Sequence, residues 1–574
     1  MRDGGSIRAS DVSYLPIVSA FARTLGVVEE VDRLCGHERG ISPGRIVLAL
    51  IVDALSGRTP LFRLPRAFAK LDTELLLGEA ISPEKLNDDA VGRVLDRLFD
   101  VGTGKVLSAV AVRAVKLFEL DTTHVHHDTT SYTVYGDYDL YGEESHDQPF
   151  VITFGFSKDH RPDLKQLVHS LLCVDEGIPI YSKCENGNES DKIVNRNLIP
   201  KMVERMDELG QDNFLYVADS ALITRDNLAL MDDWNNGFRF VSRLPASYKE
   251  CGKAIVEAVS EDTWEDLGAL SEEPSTRKRR PAHYRGFETM VDLYGVWYRA
   301  LVVHSDAYDE RRAKRLERNL EQDRAEMERI ASEQEKIEYA CLPDAQAAIS
   351  RLPKGRFHDM VAGVEERPIY SAGRPKADGT RKVNRTTYRL KISLQPKEQA
   401  IARGRKEAGC FVLITNEPEQ ASGGPGSKEL LRAYHDQHSV EQNFGFLKDP
   451  VFVNALFLKS PRRIEAMGLI LVLALMVWRL MERTMRVSLK ENDSKVKGWN
   501  NRETSRPTSF MMTTWFVSVI VIRTPNGRFL AEPLDPVQER YLSILGLSEA
   551  VFTNPAVRVM LRQTSSTQQR RGTG

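Results

Sequence analysis

The spacing of apolar residues predicts helices at the start of the chain. Helical periodicity appears in residues 14–34, 42–55, 89–98 and 105–118. Ser42 followed by Pro43 is typical of a helix start, because the amide hydrogen that proline lacks would have no partner in the first turn. Residues 1–120 are therefore predicted to form an all-helical domain.

Strand and helix patterns alternate in residues 121–245. Residues 124–135 are rich in β-branched and aromatic side chains, and residues 214–218 form a short apolar run after a helical pattern at 190–209. Asp128 lies inside the first predicted strand, where a carboxylate is costly to bury unless a cation pairs with it. Asp219 follows the second strand, where open α/β sheets place functional groups. A turn-capping role for Asp219 remains an alternative.

A third acid lies on a predicted helix over residues 427–448. Residues seven apart on a helix fall within about 20° of each other, so Tyr434, Glu441 and Lys448 share a face, with Gln437 on the same side. Asp449-Pro450 ends the pattern, because proline cannot continue a helical hydrogen-bond ladder. The face is either a functional surface or an ordinary solvated one.

The long stretch between Asp219 and Glu441 carries a different pattern. Strands are predicted at 290–304, 386–394 and 411–415, with a charged helix at 309–339. Trp264 and Trp297 are expected in its core. Beyond it we predict a buried helix at 461–487, a β-rich core segment at 510–522 and a disordered tail from Arg562.

Charge and cysteine content narrow the classes of protein. The formal net charge of −2 gives no overall basic surface, but residues 354–391 hold ten Lys or Arg against four Asp or Glu, and residues 277–280 are all basic. These stretches could follow a phosphate backbone or merely balance acidic helices. Six cysteines without a Cys-x-x-Cys pair, and no signal peptide, favour a cytoplasmic protein. The most apolar run, residues 467–478, is too short to span a bilayer.

Three carboxylates on separate segments suggest two-metal chemistry. Mg²⁺ prefers oxygen ligands and usually binds through one or two carboxylates plus substrate phosphate oxygens. Two ions about 4 Å apart can activate the attacking oxygen and stabilise the leaving oxygen at phosphorus. We hypothesise that Asp128 bridges both ions, while Asp219 holds one ion and Glu441 the other.

The third segment, residues 434–448, resembles the Tyr-x2-Arg-x3-Glu-x6-Lys signature of one group of bacterial insertion-sequence DDE transposases. Tyr434, Glu441 and Lys448 match it at the right spacing. Gln437 stands where the signature has arginine, and a neutral amide cannot make bidentate charge-assisted bonds to phosphate. Residues 154–166, 187–191 and 238–245 resemble further blocks of a subgroup with a helical N-terminal domain, as does the segment around Asn87.

The resemblance implies an α/β fold with a ribonuclease-H-like catalytic core interrupted by a β-rich insertion. We expect the helical domain at 1–120 to bind DNA ends, and core parts at 121–245 and 426–490. The insertion with its helical arm would occupy 246–425, and a C-terminal region 491–574.

The implied activity is DNA transposition, with Asp128, Asp219 and Glu441 as catalytic metal ligands. Two Mg²⁺ ions, replaceable by Mn²⁺, would support cleavage at terminal inverted repeats, possible hairpin formation and strand transfer into target DNA. The implied partners are these DNAs and a second copy of the chain, at the bacterial nucleoid and without a membrane. The expected DNA contacts are Tyr434, Gln437, Lys448, Lys158, Arg161, Arg243, Arg374 and Lys376.

Two alternatives from other classes stay open. One is a DNA-binding descendant of a transposase that has lost catalysis, for which Gln437 leaves room. The other is a metal-dependent hydrolase built on His124, His126, His127 and His146, since imidazole binds transition metals well. Strand alternation would place only some of these rings on one face.

Overall fold

The computed structural model describes residues 7–37, 39–57, 59–134, 138, 148–158, 161–232, 238–270, 281–306, 310–372, 379, 381–448 and 458–561. The predicted tail from Arg562, the basic run at 277–280, His146, Arg374 and Lys376 lie outside these residues. Contacts divide the chain into two units. Unit 1 is Met1–Ser242 with Leu431–Gly574, and unit 2 is Arg243–Leu430.

Unit 1 begins with a short strand and seven helices. The helical stretches predicted at 14–34, 42–55, 89–98 and 105–118 are confirmed, whereas the strand and two short helices were not predicted. The predicted helix at 14–34 is interrupted at Gly26, whose φ of +70° is left-handed and whose missing side chain leaves room for Arg113. Ser42 caps the third helix by accepting from the Arg45 amide, as its sequence predicts. The elements are β1 (Arg8–Asp11), α1 (Leu15–Leu25), α2 (Val27–Cys35), α3 (Pro43–Leu55), α4 (Leu64–Phe68), α5 (Thr73–Leu77), α6 (Asp88–Val101) and α7 (Thr103–Phe118).

A mixed sheet follows in unit 1, in the strand order β4-β3-β2-β5-β6. Strands β2, β3 and β4 pair antiparallel, whereas β2, β5 and β6 run parallel. The parallel strands need crossover connections, and helices α8 and α9 lie in them. The elements are β2 (His124–Thr133), β3 (Gln166–Val174), β4 (Ile178–Glu185), α8 (Asp191–Glu208), β5 (Phe214–Ala218), α9 (Arg225–Asp232) and β6 (Phe238–Arg243).

Unit 2 holds antiparallel strands and a charged helix. The strand predicted at 290–304 is a hairpin, because Tyr294 and Gly295 turn the chain with positive φ. The predicted strands at 386–394 and 411–415 and the charged helix are confirmed. The elements are α10 (Lys249–Glu261), β7 (Glu265–Ala269), β8 (His283–Leu293), β9 (Val296–Ser305), α11 (Glu310–Gln334), α12 (Leu342–Ser350), β10 (His358–Tyr370), β11 (Val383–Pro396), α13 (Glu398–Ala408) and β12 (Cys410–Thr415).

The return to unit 1 contains a long buried helix. This helix, Pro461–Glu491, is long and apolar enough to cross a membrane, but 89% of its most apolar window is buried within the protein. The prediction of a buried helix is therefore confirmed. The elements are α14 (Ser427–Asp436), α15 (His438–Lys448), α16 (Pro461–Glu491), β13 (Val496–Lys497), β14 (Glu503–Thr504), α17 (Ser509–Trp515), β15 (Ile520–Thr524), β16 (Gly527–Leu530) and α18 (Pro536–Ile544).

The β-rich prediction for residues 510–522 is wrong in its first half. Thr508 caps α17 there by accepting a hydrogen bond from the Met511 amide, so Met512 and Thr513 are buried residues of a helix and not of a strand. Only the end of the segment enters a strand, β15, which pairs with β1 and β16. The three-stranded sheet thus joins the two ends of the described chain. Taken together, the chain has a mixed α/β fold.

Candidate active site

The pairing of β2 with β5 places Asp128 and Asp219 next to each other. The two strands run parallel, and their pairing ends with His126 opposite Val217. Continuing this register by two residues brings Asp128 opposite Asp219, at the carboxyl end of β5. Neighbouring strands are about 4.8 Å apart. The sheet therefore brings together two of the three acids that the sequence singled out.

Both aspartates lie in an environment that disfavours their charge. Burial raises the pKa of Asp128 to about 7. The Lys158 charge and the Thr129 amide oppose this rise, and the charges of Asp219 and Asp191 add to it. Burial also raises the pKa of Asp219, against a hydrogen bond from the Ala221 amide. A cation between the two carboxylates would relieve this cost.

Asp219 also fills the capping role that its sequence left open. Its carboxylate accepts from the Ala221 amide at 3.0 Å and so caps a single helical turn at Ser220–Leu222. Its backbone carbonyl accepts from the Ser242 hydroxyl at 2.8 Å. These contacts hold the side chain at the strand end, and a carboxylate with one oxygen on an amide still has lone pairs to offer.

Asp191 is a third carboxylate near this pair, and sequence reasoning gave it no role. It is the first residue of α8, after the N-cap Ser190. Thr129 donates to Asp191 Oδ1 at 2.5 Å, and the Lys158 ammonium lies 3.3 Å from Asp191 Oδ2. Residues 187–191 were singled out in the sequence, and Asp191, the acid at the end of this block, was the signal that could have identified it as a site residue.

Lys158, predicted to contact DNA, points into the site. Its ammonium donates to the carbonyl and the hydroxyl of Thr129 at 2.8 and 2.7 Å. It also lies 4.0 Å from Asp128 Oδ1. One ammonium thus faces the carboxylates of Asp128 and Asp191.

The third predicted acid, Glu441, lies on an exposed surface of unit 1. The predicted helix at 427–448 is two helices, α14 and α15, which meet at Gln437. Gln437 is buried and donates from Nε2 to the His127 carbonyl at 3.2 Å. The Glu441 side chain is 64% exposed and its Oε2 lies 2.9 Å from His438 Nδ1. Gln437 and Glu441 therefore do not share one face.

A buried polar network fixes α15 against the sheet. Asn443 donates to the Gly177 carbonyl and accepts from Arg479 Nε, both at 2.6 Å. Arg479 also donates to Glu482 at 2.6 Å, and Glu482 accepts from the Ser509 amide. Each polar group of this chain of contacts has a partner, so the helix that carries Glu441 has a defined position.

The other predicted DNA contacts that the structure describes lie in varied settings. Arg161 is exposed and makes a bidentate ion pair with Asp163 at 2.8–2.9 Å. In unit 2, the Arg243 guanidinium stacks over the Phe411 ring at 5.4 Å. Tyr434 and Lys448 are partly exposed in α14 and α15.

The two tryptophans of unit 2 differ from each other. Trp264 is half-buried and packs against Phe287 and His304. Trp297 is 64% exposed, so its predicted place in the core is wrong. It lies beside the β8–β9 turn, where the sheet ends and leaves its ring without cover.

The described histidines on β2 do not form an open metal site. Burial lowers the pKa of His126 to about 3 and that of His127 to about 4, so both rings are neutral at pH 7. His127 Nε2 lies 2.9 Å from the Ser170 hydroxyl. Within the described ranges, no group of three or more His, Cys, Asp or Glu side chains is arranged to hold a metal ion. The candidate site thus offers a carboxylate pair rather than a complete ligand set.

Comparisons with known proteins give two findings. A domain family of unknown function, DUF4277, matches residues 7–112, which span the N-terminal helices up to α7. A solved piggyBac transposase synaptic complex with hairpin DNA is similar at a TM-score of 0.34 and 8% identity, over 82% of this chain and 76% of that chain. No curated protein matches the sequence. The likeness to a transposase is weak, and it carries no argument about the site.

Proposed function

We propose that the chain is a DDE-type DNA transposase of a bacterial insertion sequence. The observation that carries the proposal is the β2–β5 register, which brings Asp128 and Asp219 together at the carboxyl end of β5. The strand order supports a ribonuclease-H-like core, because β4, β3 and β2 pair antiparallel while β5 and β6 run parallel to β2. The proposed substrates are terminal inverted repeats and target DNA, bound by a dimer, with a hairpin as a possible intermediate.

The donor set fits the proposed Mg²⁺ cofactor, with Mn²⁺ as a substitute. Asp128 and Asp219 supply adjacent carboxylates whose burial leaves their charges costly. Mg²⁺ usually binds proteins through one or two carboxylates and takes its other ligands from water and phosphate. Two such ions supply Lewis-acid stabilisation to the attacking and leaving oxygens of an in-line displacement at phosphorus.

The chain's own residues would then divide the work. Asp128 within β2 and Asp219 after β5 would hold the site, and Glu441 would complete it once its carboxylate leaves His438. Gln437 anchors the start of α15 through the His127 carbonyl instead of presenting a charge to DNA. Apart from the buried Gln437, the proposed DNA contacts are Tyr434, Lys448, Lys158, Arg161, Arg243, Arg374 and Lys376.

A cleavage assay tests this function. The full chain is incubated with Mg²⁺ and a supercoiled plasmid that carries the two DNA segments flanking its coding sequence. We expect strand breaks at the borders of these segments, mapped by sequencing, and their loss in Asp128→Asn and Asp219→Asn. Absence of cleavage in both Mg²⁺ and Mn²⁺ would contradict an active transposase.

A DNA-binding descendant without catalysis is the second candidate. The exposed Glu441, paired with His438, and the buried Gln437 favour it. Gel-shift binding to the same segments, with no cleavage in either metal, would support this candidate. Cleavage that Glu441→Gln abolishes while binding persists would exclude it.

A further inference from the structure

The Lys158 ammonium occupies a pocket of oxygen atoms beside the candidate metal site. Its neighbours are the Thr129 carbonyl and hydroxyl at 2.8 and 2.7 Å, Asp191 Oδ2 at 3.3 Å and Asp128 Oδ1 at 4.0 Å. A lysine ammonium has three hydrogens to donate, and the first three oxygens account for them. Carbonyl, hydroxyl and carboxylate oxygens are also the ligands that hard divalent cations select.

Both ends of this lysine are held against β2. Its backbone amide donates to the Ser131 hydroxyl at 2.9 Å. Its partner Asp191 is held in turn by the Thr129 hydroxyl at 2.5 Å and lies in the first turn of α8, where the helix dipole favours a negative charge. The ammonium therefore has a defined position, although a third of the side chain is exposed and can leave.

The carboxylates beside Lys158 attract both its ammonium and a bound cation. The charges of Asp219 and Asp191 raise the pKa of Asp128, the charge of Asp191 raises the pKa of Asp219, and the Lys158 charge opposes both rises. A divalent ion at the aspartate pair would repel an ammonium only 4.0 Å from Asp128. The ion and the ammonium therefore compete for the same negative charge.

We propose that Lys158 and Asp191 form a cation-exchange latch. Without a bound metal ion, the Lys158 ammonium supplies the positive charge beside Asp128, and Asp191 holds the ammonium there. A divalent ion that binds Asp128 and Asp219 expels the ammonium. The released ammonium can then meet a phosphate. This inference rests on the proposed metal site at Asp128 and Asp219. Asp191 acts as a positioning residue, because its carboxylate contacts the Lys158 ammonium and the Thr129 hydroxyl.

Amine labelling of the full-length chain, read by mass spectrometry, tests the latch. Lys158 is labelled with a small amine-reactive ester at pH 8, with and without Mn²⁺, and Mn²⁺ binding is followed in parallel by electron paramagnetic resonance. We expect Mn²⁺ to increase the labelling rate of Lys158 about tenfold or more, because the expelled ammonium is no longer held by Thr129 and Asp191. A tenfold change in rate corresponds to about 1.4 kcal/mol. Exposed Lys192 on α8 is the matched control and should keep its rate.

The outcomes separate failure of the latch from failure of the site. Mn²⁺ binding that Asp128→Asn abolishes, with unchanged Lys158 labelling in the wild type, would overturn the latch and leave the metal site intact. Mn²⁺ binding that does not depend on Asp128 would overturn both. Asp191→Asn should label rapidly at Lys158 without metal, and a rate equal to that of the wild type would refute the holding role of Asp191.

Discussion

Asp128 and Asp219 lie on neighbouring strands among buried groups, whereas Glu441 projects from the exposed surface of α15. The aspartates are positioned by sheet register and by short contacts to Thr129, Ala221 and Ser242. The glutamate contacts a histidine on its own helix, and the Glu441 and His438 side chains are both more than 60% exposed. We call Asp128 and Asp219 the sheet side of the candidate site, and Glu441 on α15 its helix side. The sheet side is therefore held in position before metal or substrate binds.

The helix side is different, because its backbone is fixed while its carboxylate can turn. Asn443, two residues along from Glu441, is fully buried in the network with Arg479. Rotation of the Glu441 side chain would break its contact with His438 at 2.9 Å. A site of this kind would be completed by substrate and metal, as many enzymes complete theirs on closure. Four predictions test this contrast.

The largest expected effect is on DNA cleavage by the sheet side. Asp128→Asn and Asp219→Asn each remove a proposed metal ligand worth several kcal/mol of transition-state stabilisation, so the cleavage rate should fall about a thousandfold or more. Initial rates on the plasmid described above measure it. Asp226→Asn, an exposed carboxylate on α9, is the control and should keep the wild-type rate. Retained cleavage in either site variant would remove the basis of the proposal.

The second effect is on stability and concerns the anchor of the helix side. Asn443→Ala leaves the Gly177 carbonyl and Arg479 Nε without the contact to Asn443, which should lower the free energy of unfolding by about 3 kcal/mol. Urea unfolding followed by circular dichroism measures the change. Gln442→Ala, exposed on the same helix, should change it by less than about 0.5 kcal/mol. Equal effects would mean that α15 is not anchored through Asn443.

The third effect is a pH dependence of the sheet side. Burial lowers the pKa of His169 on β3 from 6.5 to about 4, and its Nε2 lies 2.7 Å from the Ser182 hydroxyl. Because the unfolded chain takes up the proton first, the contribution of His169 to stability is complete above pH 6.5 and is lost at about 1.4 kcal/mol per pH unit between pH 6.5 and 4. His169→Gln should reduce that slope by this amount. Parallel stability curves for variant and wild type would show that the ring is not kept neutral.

The sequence predicted the sheet side well because its signals are local. Asp219 follows an apolar run, Asp128 lies in a β-branched segment, and a helix between them implies a parallel crossover. The pairing of β2 with β5 was not predicted, because β3 and β4 lie between them in the chain and no local signal sets the register. The helical pattern at 190–209 is confirmed as α8, with Ser190 as its N-cap.

The contacts that could not be predicted join distant segments. Periodicity made residues 427–448 one helix, but Gln437 is buried because its amide reaches the His127 carbonyl, far away in the sequence. The Lys158 contacts join a loop, β2 and the start of α8, and no spacing along the chain encodes them. Trp297 was expected in the core, yet it lies beside a hairpin turn, where its side chain is exposed.

The smallest expected effect is the change in stability on substitution of Glu441. It tests directly how the exposed Glu441 differs from the buried Asp128 and Asp219. Glu441→Gln removes an exposed contact between neighbours on one helix turn, and such pairs contribute little, so the free energy of unfolding should change by less than about 0.5 kcal/mol. Cleavage should nevertheless fall as far as in the aspartate variants if the carboxylate joins the site. A variant with unchanged stability and no cleavage would show that Glu441 acts only once substrate and metal are bound. Full cleavage by this variant would instead confine the chemistry to the carboxylates of the sheet, and Asp191 would then be the acid to test as the third ligand.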